Sequence, residues 1–289
     1  MKLSIAIAGC GKVGTTLGHH LQRKNFVLQG IACRSAASAE KAAQILNVHH
    51  HSVNPWDVTG SADIVFITTP DDAIADTCKA IADHNGFKKN AFVLHCSGSL
   101  PSTILAPARK CGAITGSLHP LQSFAQTTVN DNPFQGIIMA AEGDPEAVAL
   151  SRQIADTLAA VFIEIKTDAK TLYHASAVVA SNYLVSLIGF AFDLIEEAGI
   201  SSKDAMMVLN PLIMGTLNNI DRVGVVKALT GPIVRGDAAT IQNHLKKITE
   251  ARPDLVSMYK VLGQYALSLT EKKGSLDPKR IEALSTLLN

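Results

Sequence analysis

For a little over half its length the chain alternates short apolar runs with amphipathic stretches, and then its texture changes. Apolar runs at 3–8, 27–32, 64–68, 92–95, 113–117, 137–141 and 161–165 predict strands. Apolar residues recur at helical spacing over 12–23, 37–46, 72–83, 99–110 and 145–159, which predicts helices between them. Several strand runs are continuously apolar, the pattern of a parallel sheet covered on both faces. Strand–helix alternation therefore predicts an α/β domain with a doubly wound, mostly parallel sheet over residues 1–165.

No strand pattern follows residue 165. Residues 168–199 read as one long helix that stops at Glu196-Glu197-Ala198-Gly199. Ser201-Ser202-x-Asp204 caps the next helix, Pro211, Gly231-Pro232 and Pro253 punctuate those after it, and Pro278 lies just inside the last. Residues 166–289 are thus expected to form an all-α C-terminal domain. Residues 175–192 contain no Asp, Glu, Lys or Arg, which is near the lower length for a membrane span. Ser176, Ser181, Asn182, Ser186 and Gly189 dilute the run, so the expectation is a central helix buried all round.

Composition narrows the function. The chain has 289 residues, enough for two domains at about 150 residues each. With 47% hydrophobic and 18% charged residues it has ample apolar surface to order itself, which excludes disorder. Basic and acidic residues balance at 26 and 25, and no Lys/Arg run exceeds two. Nucleic acid and anionic membrane are therefore not expected as partners, and 5% aromatics leave no base-stacking surface. A small-molecule substrate is. Cys10, Cys33, Cys78, Cys96 and Cys111 are odd in number, widely spaced and without a Cys-x-x-Cys, so neither a disulfide framework nor a zinc site fits. Reduced cysteines suit the cytoplasm. The N-terminal apolar run breaks into glycines with no cleavage site after it and reads as a strand, not a signal peptide. His49-His50-His51 has no carboxylate or Cys companion and reads as solvated surface rather than a metal site.

Gly9-Cys10-Gly11-Lys12-Val13-Gly14 is a G-x-G-x-x-G between a predicted strand and helix, the context in which it binds a dinucleotide in a Rossmann domain. The first glycine makes the tight turn, the second admits the pyrophosphate, the third packs helix on strand, and the helix N-terminus offers its free N–H groups. At the end of the second strand, where an acidic residue would hold the 2′-hydroxyl of NAD, the sequence reads Cys33-Arg34-Ser35. Arg34 can fork onto a 2′-phosphate and Ser35 can donate to it, so NADP is the expected cofactor; a solvated Arg34 beside bound NAD is the alternative. Thr68-Thr69-Pro70 follows another strand and belongs on the cofactor edge, or is simply a Pro-stabilised turn.

Two further strand ends carry reactive groups, His95-Cys96-Ser97-Gly98-Ser99 and Ser117-Leu118-His119-Pro120. His119 suits proton transfer and Ser97 suits a hydrogen bond to a carbonyl, while His95 is expected to point into the sheet and Cys96 to be buried. On the long helix, His174 is followed seven and eight residues later by Ser181 and Asn182, on one broad face. His174 and Asn182 are equally readable as substrate contacts or as structural partners. In Thr230-Gly231-Pro232-Ile233-Val234-Arg235-Gly236-Asp237, Arg235 suits a substrate carboxylate, with an ion pair to Asp237 or a helix cap as the plainer reading.

With these motifs assembled the chain resembles the Rossmann-like oxidoreductases that carry a C-terminal helical domain of unknown function, the DUF2520 type. The resemblance rests on Gly9-x-Gly11-x-x-Gly14, His119-Pro120-Leu121-Gln122-Ser123-Phe124, Tyr173-His174-Ala175 with Ser181-Asn182-Tyr183, and Thr230-Gly231-Pro232-Ile233-x-Arg235-Gly236-Asp237. The wider relatives are the 6-phosphogluconate dehydrogenase-like enzymes: β-hydroxyacid dehydrogenases, pyrroline-5-carboxylate reductase and ketopantoate reductase. It implies a homodimer joined through the helical domains, a site in the interdomain cleft, and an NADP-dependent hydride transfer, with ketopantoate reduction the leading activity. The Ser117-Leu118-His119-Pro120 stretch is similar to the His-Pro of prephenate dehydrogenases, where that histidine contacts the reacting hydroxyl; this makes Ser97 and His119 candidate substrate contacts. Those relatives commonly place a Lys and an Asn one turn apart on the first interdomain helix, whereas here Lys170 is followed by His174 and the Asn arrives at Asn182. A prephenate-dehydrogenase-like or imine-reducing enzyme, and a non-catalytic NADP-binding regulator, are the alternatives.

Overall fold

The computed structural model describes every residue except Met1, Asn25, Ala125 and Thr128. The chain divides into two compact units, residues 1–180 and 181–289. In the first, the strands are β1 (Leu3–Ala8), β2 (Phe26–Ala32), β3 (His51–Ser52), β4 (Ile64–Ile67), β5 (Phe92–His95), β6 (Ile114–Pro120), β7 (Ile138–Gly143) and β8 (Val161–Glu164). Among the described residues they form one eight-stranded sheet in the order β3-β2-β1-β4-β5-β6-β7-β8. Pairing is parallel from β3 to β6, antiparallel between β6 and β7, and parallel again between β7 and β8. Helices α1 (Lys12–Gln22), α2 (Ala36–Leu46), α3 (Trp56–Thr59), α4 (Asp71–Asp83), α5 (Ala106–Lys110) and α6 (Pro145–Thr157) connect the strands.

The continuous apolar runs are explained by two cores. Ile5, Ile7, Ile64 and Phe66 join one cluster with Leu17 and Leu21 of α1, while Ala6, Ala8, Val65 and Ile67 join another with Ile74 and Ile81 of α4. Successive residues of a strand face opposite sides, so a strand covered on both sides needs an apolar residue at every position. Trp56, the chain's one tryptophan, stacks on His84 with ring centroids 3.8 Å apart and planes 4° from parallel.

Several boundaries differ from expectation, each for a local reason. β6 runs on through His119 and Pro120, because β7 pairs with it as far as Pro120↔Met139; His119 is therefore a strand residue paired with Ala140. The predicted helix over 99–110 begins as a 3-10 turn at Ser102–Leu105 and becomes α-helical only over Ala106–Lys110, since Pro101 and Pro107 restrict the start. His51 forms a short edge strand while its neighbours His49 and His50 remain exposed.

The long helix expected over 168–199 is composite. A 3-10 turn (Thr167–Ala169) leads into α7 (Lys170–Val178), a π-helical turn (Val179–Tyr183) and α8 (Leu184–Glu197). The π turn interrupts the 3.6-residue spacing on which a shared face of His174 with Ser181 and Asn182 depends. The units divide after Ala180 rather than at 165, because α7 is tied into the first unit through Lys170, buried within it.

In the second unit, α8 is followed by α9 (Ser202–Val223), α10 (Val225–Ala228), α11 (Pro232–Arg235), α12 (Ala238–Ala251), α13 (Val256–Lys273) and α14 (Pro278–Leu288). Pro211 lies inside α9 instead of ending a helix. The carbonyl it frees belongs to Met207, which is exposed, so water can satisfy it. The buried core is small, built on Ile241, Leu267, Leu284 and Leu288. The expectation that residues 175–192 are buried all round is not met. Thr167–Glu197 is long and apolar enough to cross a membrane by length and composition, yet Val179, Tyr183, Val185 and Leu187 are exposed and Phe190 is the buried residue of α8.

Candidate active site

The carboxyl ends of β1, β4, β5 and β6 lie side by side, and each runs into a segment carrying one of the sequence motifs. After β1, Gly9 turns with φ +101, a conformation that favours glycine. Its N–H donates to the Ala32 carbonyl at the end of β2 (2.8 Å), and its carbonyl accepts from Thr68 Oγ1 (2.6 Å) at the end of β4. Gly14 is packed so tightly that an added Cβ would lie 2.4 Å from Thr68 Oγ1 and 2.5 Å from the Gly9 carbonyl. Around Gly11 the same Cβ would meet nothing within 4 Å, and Gly11 and Lys12 are exposed. This is the shape a dinucleotide requires: closed where helix meets strand, open where the pyrophosphate approaches the backbone. Val13 packs at the start of α1, and Thr15 Oγ1 donates to the Cys10 carbonyl (3.1 Å), fixing the turn.

The remaining cofactor candidates divide. Arg34 is exposed, with no ion pair or side-chain hydrogen bond among the described residues. Ser35 N-caps α2, accepting from Ser38 N–H (3.3 Å) and donating to Ser38 Oγ (2.9 Å), so its hydroxyl is already engaged. Thr68 is a latch onto Gly9, as above. Thr69 Oγ1 is buried without a hydrogen-bond partner, and Pro70 caps α4. An orphaned hydroxyl beside an open glycine turn fits a polar ligand there. A nicotinamide dinucleotide fits these residues.

At the end of β5, Ser97 is a hub. Its hydroxyl donates to Asp71 Oδ2 (2.8 Å) and accepts from the N–H of Ser99 (3.2 Å) and of Leu100 (3.0 Å). Ser99 Oγ donates to the same Asp71 oxygen (2.8 Å). With its single proton given to Asp71, Ser97 meets an incoming oxygen as a donor only if that bond exchanges. His95 is fully buried; its Nδ1 accepts from Ser97 N–H (3.2 Å) and its Nε2 has no partner. Burial, and then the Lys170 charge, push its pKa down to about 4. Cys96 is pushed up to about 12 by burial, so it is no nucleophile at neutral pH.

His119 and His174 meet over Gly98. A Cβ on Gly98 would lie 2.7 Å from His174 Cδ2 and 2.8 Å from His119 Nε2, so only glycine leaves room for both rings. The ring centroids are 6.3 Å apart. His119 Nδ1 lies 3.1 Å from Tyr173 Oη. Burial, and then the charge of Lys170, push His119 down to about 4, so it is neutral at physiological pH. In the tautomer where the Tyr173 hydroxyl donates to Nδ1, the His119 proton sits on Nε2, the nitrogen facing Gly98.

Beneath this pair lies a buried network. Lys170 is 1% exposed and Glu142 2% exposed. Glu142 accepts from Ser102 N–H (2.8 Å), Ser102 Oγ (2.7 Å), Ser117 Oγ (2.7 Å) and Thr167 Oγ1 (2.9 Å), and Lys170 Nζ lies 3.4 Å from it while donating to Ser117 Oγ. Burial works to raise the Glu142 pKa, but the hydrogen bonds from Ser117 and Ser102 and the lysine charge hold it below the usual range. For Lys170, burial outweighs the attraction of Glu142 and lowers the pKa. Tyr173 and His174 follow Lys170 by three and four residues on α7, so anchoring the lysine orients both. Glu142 was not apparent from sequence; the one signal was a lone carboxylate at the end of an apolar strand.

In the second unit, Asn182 sits in the π turn. Arg235 is exposed at the end of α11, and its carbonyl accepts from Arg280 Nη1 (2.8 Å). Asp237 caps α12 through Thr240 N–H (3.0 Å) and Thr240 Oγ1 (2.7 Å), the helix cap that the plainer reading of this loop offered. Thr230 lines an apolar cavity of about 760 Å³ between α8, α12 and α13.

The buried histidines set a pH dependence. An unfolded histidine takes up its proton near 6.5. Folded His95 and His119 do so only near 4. Between those values the unfolded chain binds more protons, so stability is full above 6.5 and is lost as the pH falls toward 4. The denaturant midpoint should therefore drop between pH 7 and pH 4.5; a flat midpoint over that range would show that neither histidine is held neutral by the fold.

Two family profiles match the chain: a Rossmann-like domain over residues 1–120, and the domain of unknown function DUF2520 over residues 137–266. No curated protein matches it. Among solved structures it is similar to a Bacteroides fragilis protein described as an NADP oxidoreductase, at 24% identity and a TM-score of 0.73, covering 93% of this chain and 98% of that one. A Thermotoga maritima protein is similar at 24% identity and a TM-score of 0.72, covering 93% and 99%. The 1-pyrroline-5-carboxylate reductase of Streptococcus pyogenes shares 15% identity with a TM-score of 0.62, covering 98% of each chain. At these identities the likeness is one of fold, and the two profiles assign a Rossmann-like domain to residues 1–120 and a DUF2520 domain to residues 137–266.

Proposed function

We propose that the protein is an NADP-dependent oxidoreductase acting on a small carboxylated ketone or alcohol, with ketopantoate reduction the leading activity. The observation that carries this reading is the meeting of His119 and His174 over Gly98 on the same sheet edge as the open Gly11 turn. The description of the Bacteroides fragilis neighbour as an NADP oxidoreductase supports it. A bound nicotinamide cofactor supplies or accepts the hydride. Neutral His119, with Nδ1 held by Tyr173, offers its Nε2–H to the substrate oxygen and polarises it without carrying a charge. His174 is the second ring within reach of that oxygen and handles its proton. Ser97 shapes the floor through Asp71. Arg34, exposed and unpaired, takes the 2′-phosphate. The active form is a homodimer in a reducing compartment such as the cytoplasm, the second copy covering the apolar faces of α8 and α9.

Purified protein should oxidise NADPH with ketopantoate or another small 2-keto acid. Turnover of a cyclic imine instead would move the assignment to a pyrroline-5-carboxylate-reductase-like enzyme, the reading favoured by the Streptococcus pyogenes fold, and NADPH binding without turnover would leave a cofactor-binding regulator. On the substrate that is turned over, His119→Ala or His174→Ala should lower kcat by about 10²–10⁴-fold if the ring acts on the oxygen. NADPH affinity should stay within about twofold, since Gly9–Gly14 and Arg34 hold the far end. Full turnover with a lowered Tm would make the histidine structural.

Arg34→Asp should weaken NADPH binding by about 10–100-fold, the equivalent of roughly 1.5–3 kcal/mol for a charged hydrogen bond, and shift preference toward NADH. An unchanged ratio of the two affinities would take Arg34 out of the site. Light scattering at micromolar concentration should give a dimer mass; a monomer would mean that another partner covers α8 and α9.

A further inference from the structure

Asp71 joins two parts of the candidate site, the glycine turn and the loop beneath the two histidines. On one side, Thr68 Oγ1 donates to the Gly9 carbonyl (2.6 Å), and Thr69 packs so closely on Gly9 that an added Cβ there would lie 2.6 Å from Thr69 N. Pro70 follows. Its ring fixes its own φ and confines Thr69 to extended backbone, so Thr69-Pro70-Asp71 is a stiff link. On the other side, Asp71 Oδ2 accepts from Ser97 Oγ and from Ser99 Oγ, each at 2.8 Å. These serines flank Gly98. Ser97 Oγ also accepts from the N–H of Ser99 (3.2 Å) and of Leu100 (3.0 Å), which closes the loop on itself. Both rings rest on it: a Cβ on Gly98 would lie 2.7 Å from His174 Cδ2 and 2.8 Å from His119 Cε1 and Nε2.

We propose that Asp71 is a positioning residue: it clamps the Gly98 loop to the cofactor turn and so fixes His119 and His174 relative to the bound cofactor. The proposal rests on the reading of the Gly9–Gly14 turn as the cofactor site and of the two rings as the groups that act on the substrate oxygen. Hydride transfer needs the cofactor, the reacting carbon and the groups on its oxygen aligned at once, and the clamp ties the first to the last. Each serine spends its single proton on one carboxylate oxygen, a stronger bond than one to a neutral acceptor. Asp71 itself is exposed, and Asp72 shares the first turn of α4. Truncation at 71 therefore opens no cavity and leaves the helix an acidic start. Asn in its place keeps an oxygen that accepts both hydroxyls and removes only the charge. Burial, Lys170 and His174 hold the His119 pKa down and Asp71 works against them, so loss of that charge leaves the ring neutral.

The test compares Asp71→Ala, Asp71→Asn and Ser99→Ala in the full-length protein by imidazole NMR, NADPH titration and turnover. Asp71→Ala should move the ring signals of both His119 and His174 and lower kcat by about 10–100-fold, the cost of misplacing a reacting group by about 1 Å. NADPH affinity should stay within about twofold, because the glycine turn keeps its own bonds to Ala32 and Thr68. Asp71→Asn should restore kcat to within about threefold of the natural chain, since the acceptor remains. Ser99→Ala should cost less than Asp71→Ala and add nothing to it, as expected of two residues in one bond network. Ring signals that stay in place in Asp71→Ala would overturn the proposal, and so would Asp71→Asn falling as far as Asp71→Ala. If the natural chain turns over neither a keto acid nor an imine, the oxidoreductase reading fails instead, and the ring signals alone decide whether the clamp exists.

Discussion

The site depends on one buried ion pair. Lys170 and Glu142 are nearly inaccessible, and the cost of removing both from water is several kcal/mol per ion unless every lone pair and proton finds a partner. Glu142 meets that condition through Ser102, Ser117 and Thr167, and Ser117 and Glu142 take two of the three Lys170 protons. These partners come from the 3-10 turn after β5, from β6, from β7 and from the start of α7. The pair is therefore better understood as a constraint on geometry than as a source of stability: four segments must be in place together for either charge to be satisfied.

What the constraint positions is the histidine pair. Lys170 anchors the first turn of α7, so Tyr173 and His174 project from a fixed helix toward His119 on β6. The same lysine charge helps to keep His95 and His119 unprotonated, which ties the electrostatics of the floor to the tautomer of the ring above it. The glycines act at two scales. Gly9 and Gly14 allow turn, helix and strand to close up, and Gly98 allows two rings to share one place. The second unit has far less to hold it, with a small core and long helices whose apolar sides remain bare.

Much of this was legible in the sequence because it is encoded locally. The doubly wound sheet follows from unbroken apolar runs, and the dinucleotide turn from three glycines in a strand–turn–helix setting. What was not legible depends on partners distant in sequence. Nothing near Glu142 announces Lys170, and nothing near Gly98 announces two histidines. Pro120 looks like the end of a strand, yet β7 pairs alongside it and carries His119 into the ladder. The π turn at Val179–Tyr183 has no compositional mark, so a helical wheel drawn through it misplaces Asn182. The apolar stretch 175–192 was read as buried because its residues demand cover, and a sequence does not say whether that cover belongs to the same copy of the chain.

The stacking of Trp56 on His84 has a practical consequence. The chain holds a single indole, and it lies in the first unit, wedged between α3 and the end of α4. Its fluorescence therefore reports on the sheet-containing unit alone, while the helices of the second unit are visible chiefly through far-ultraviolet circular dichroism. Coincidence of transitions followed by different probes is the usual sign of all-or-none unfolding. Here fluorescence reads the first unit and circular dichroism reads the helices of both, so a second step in the dichroism with no counterpart in the fluorescence marks unfolding of the small helical core apart from the sheet.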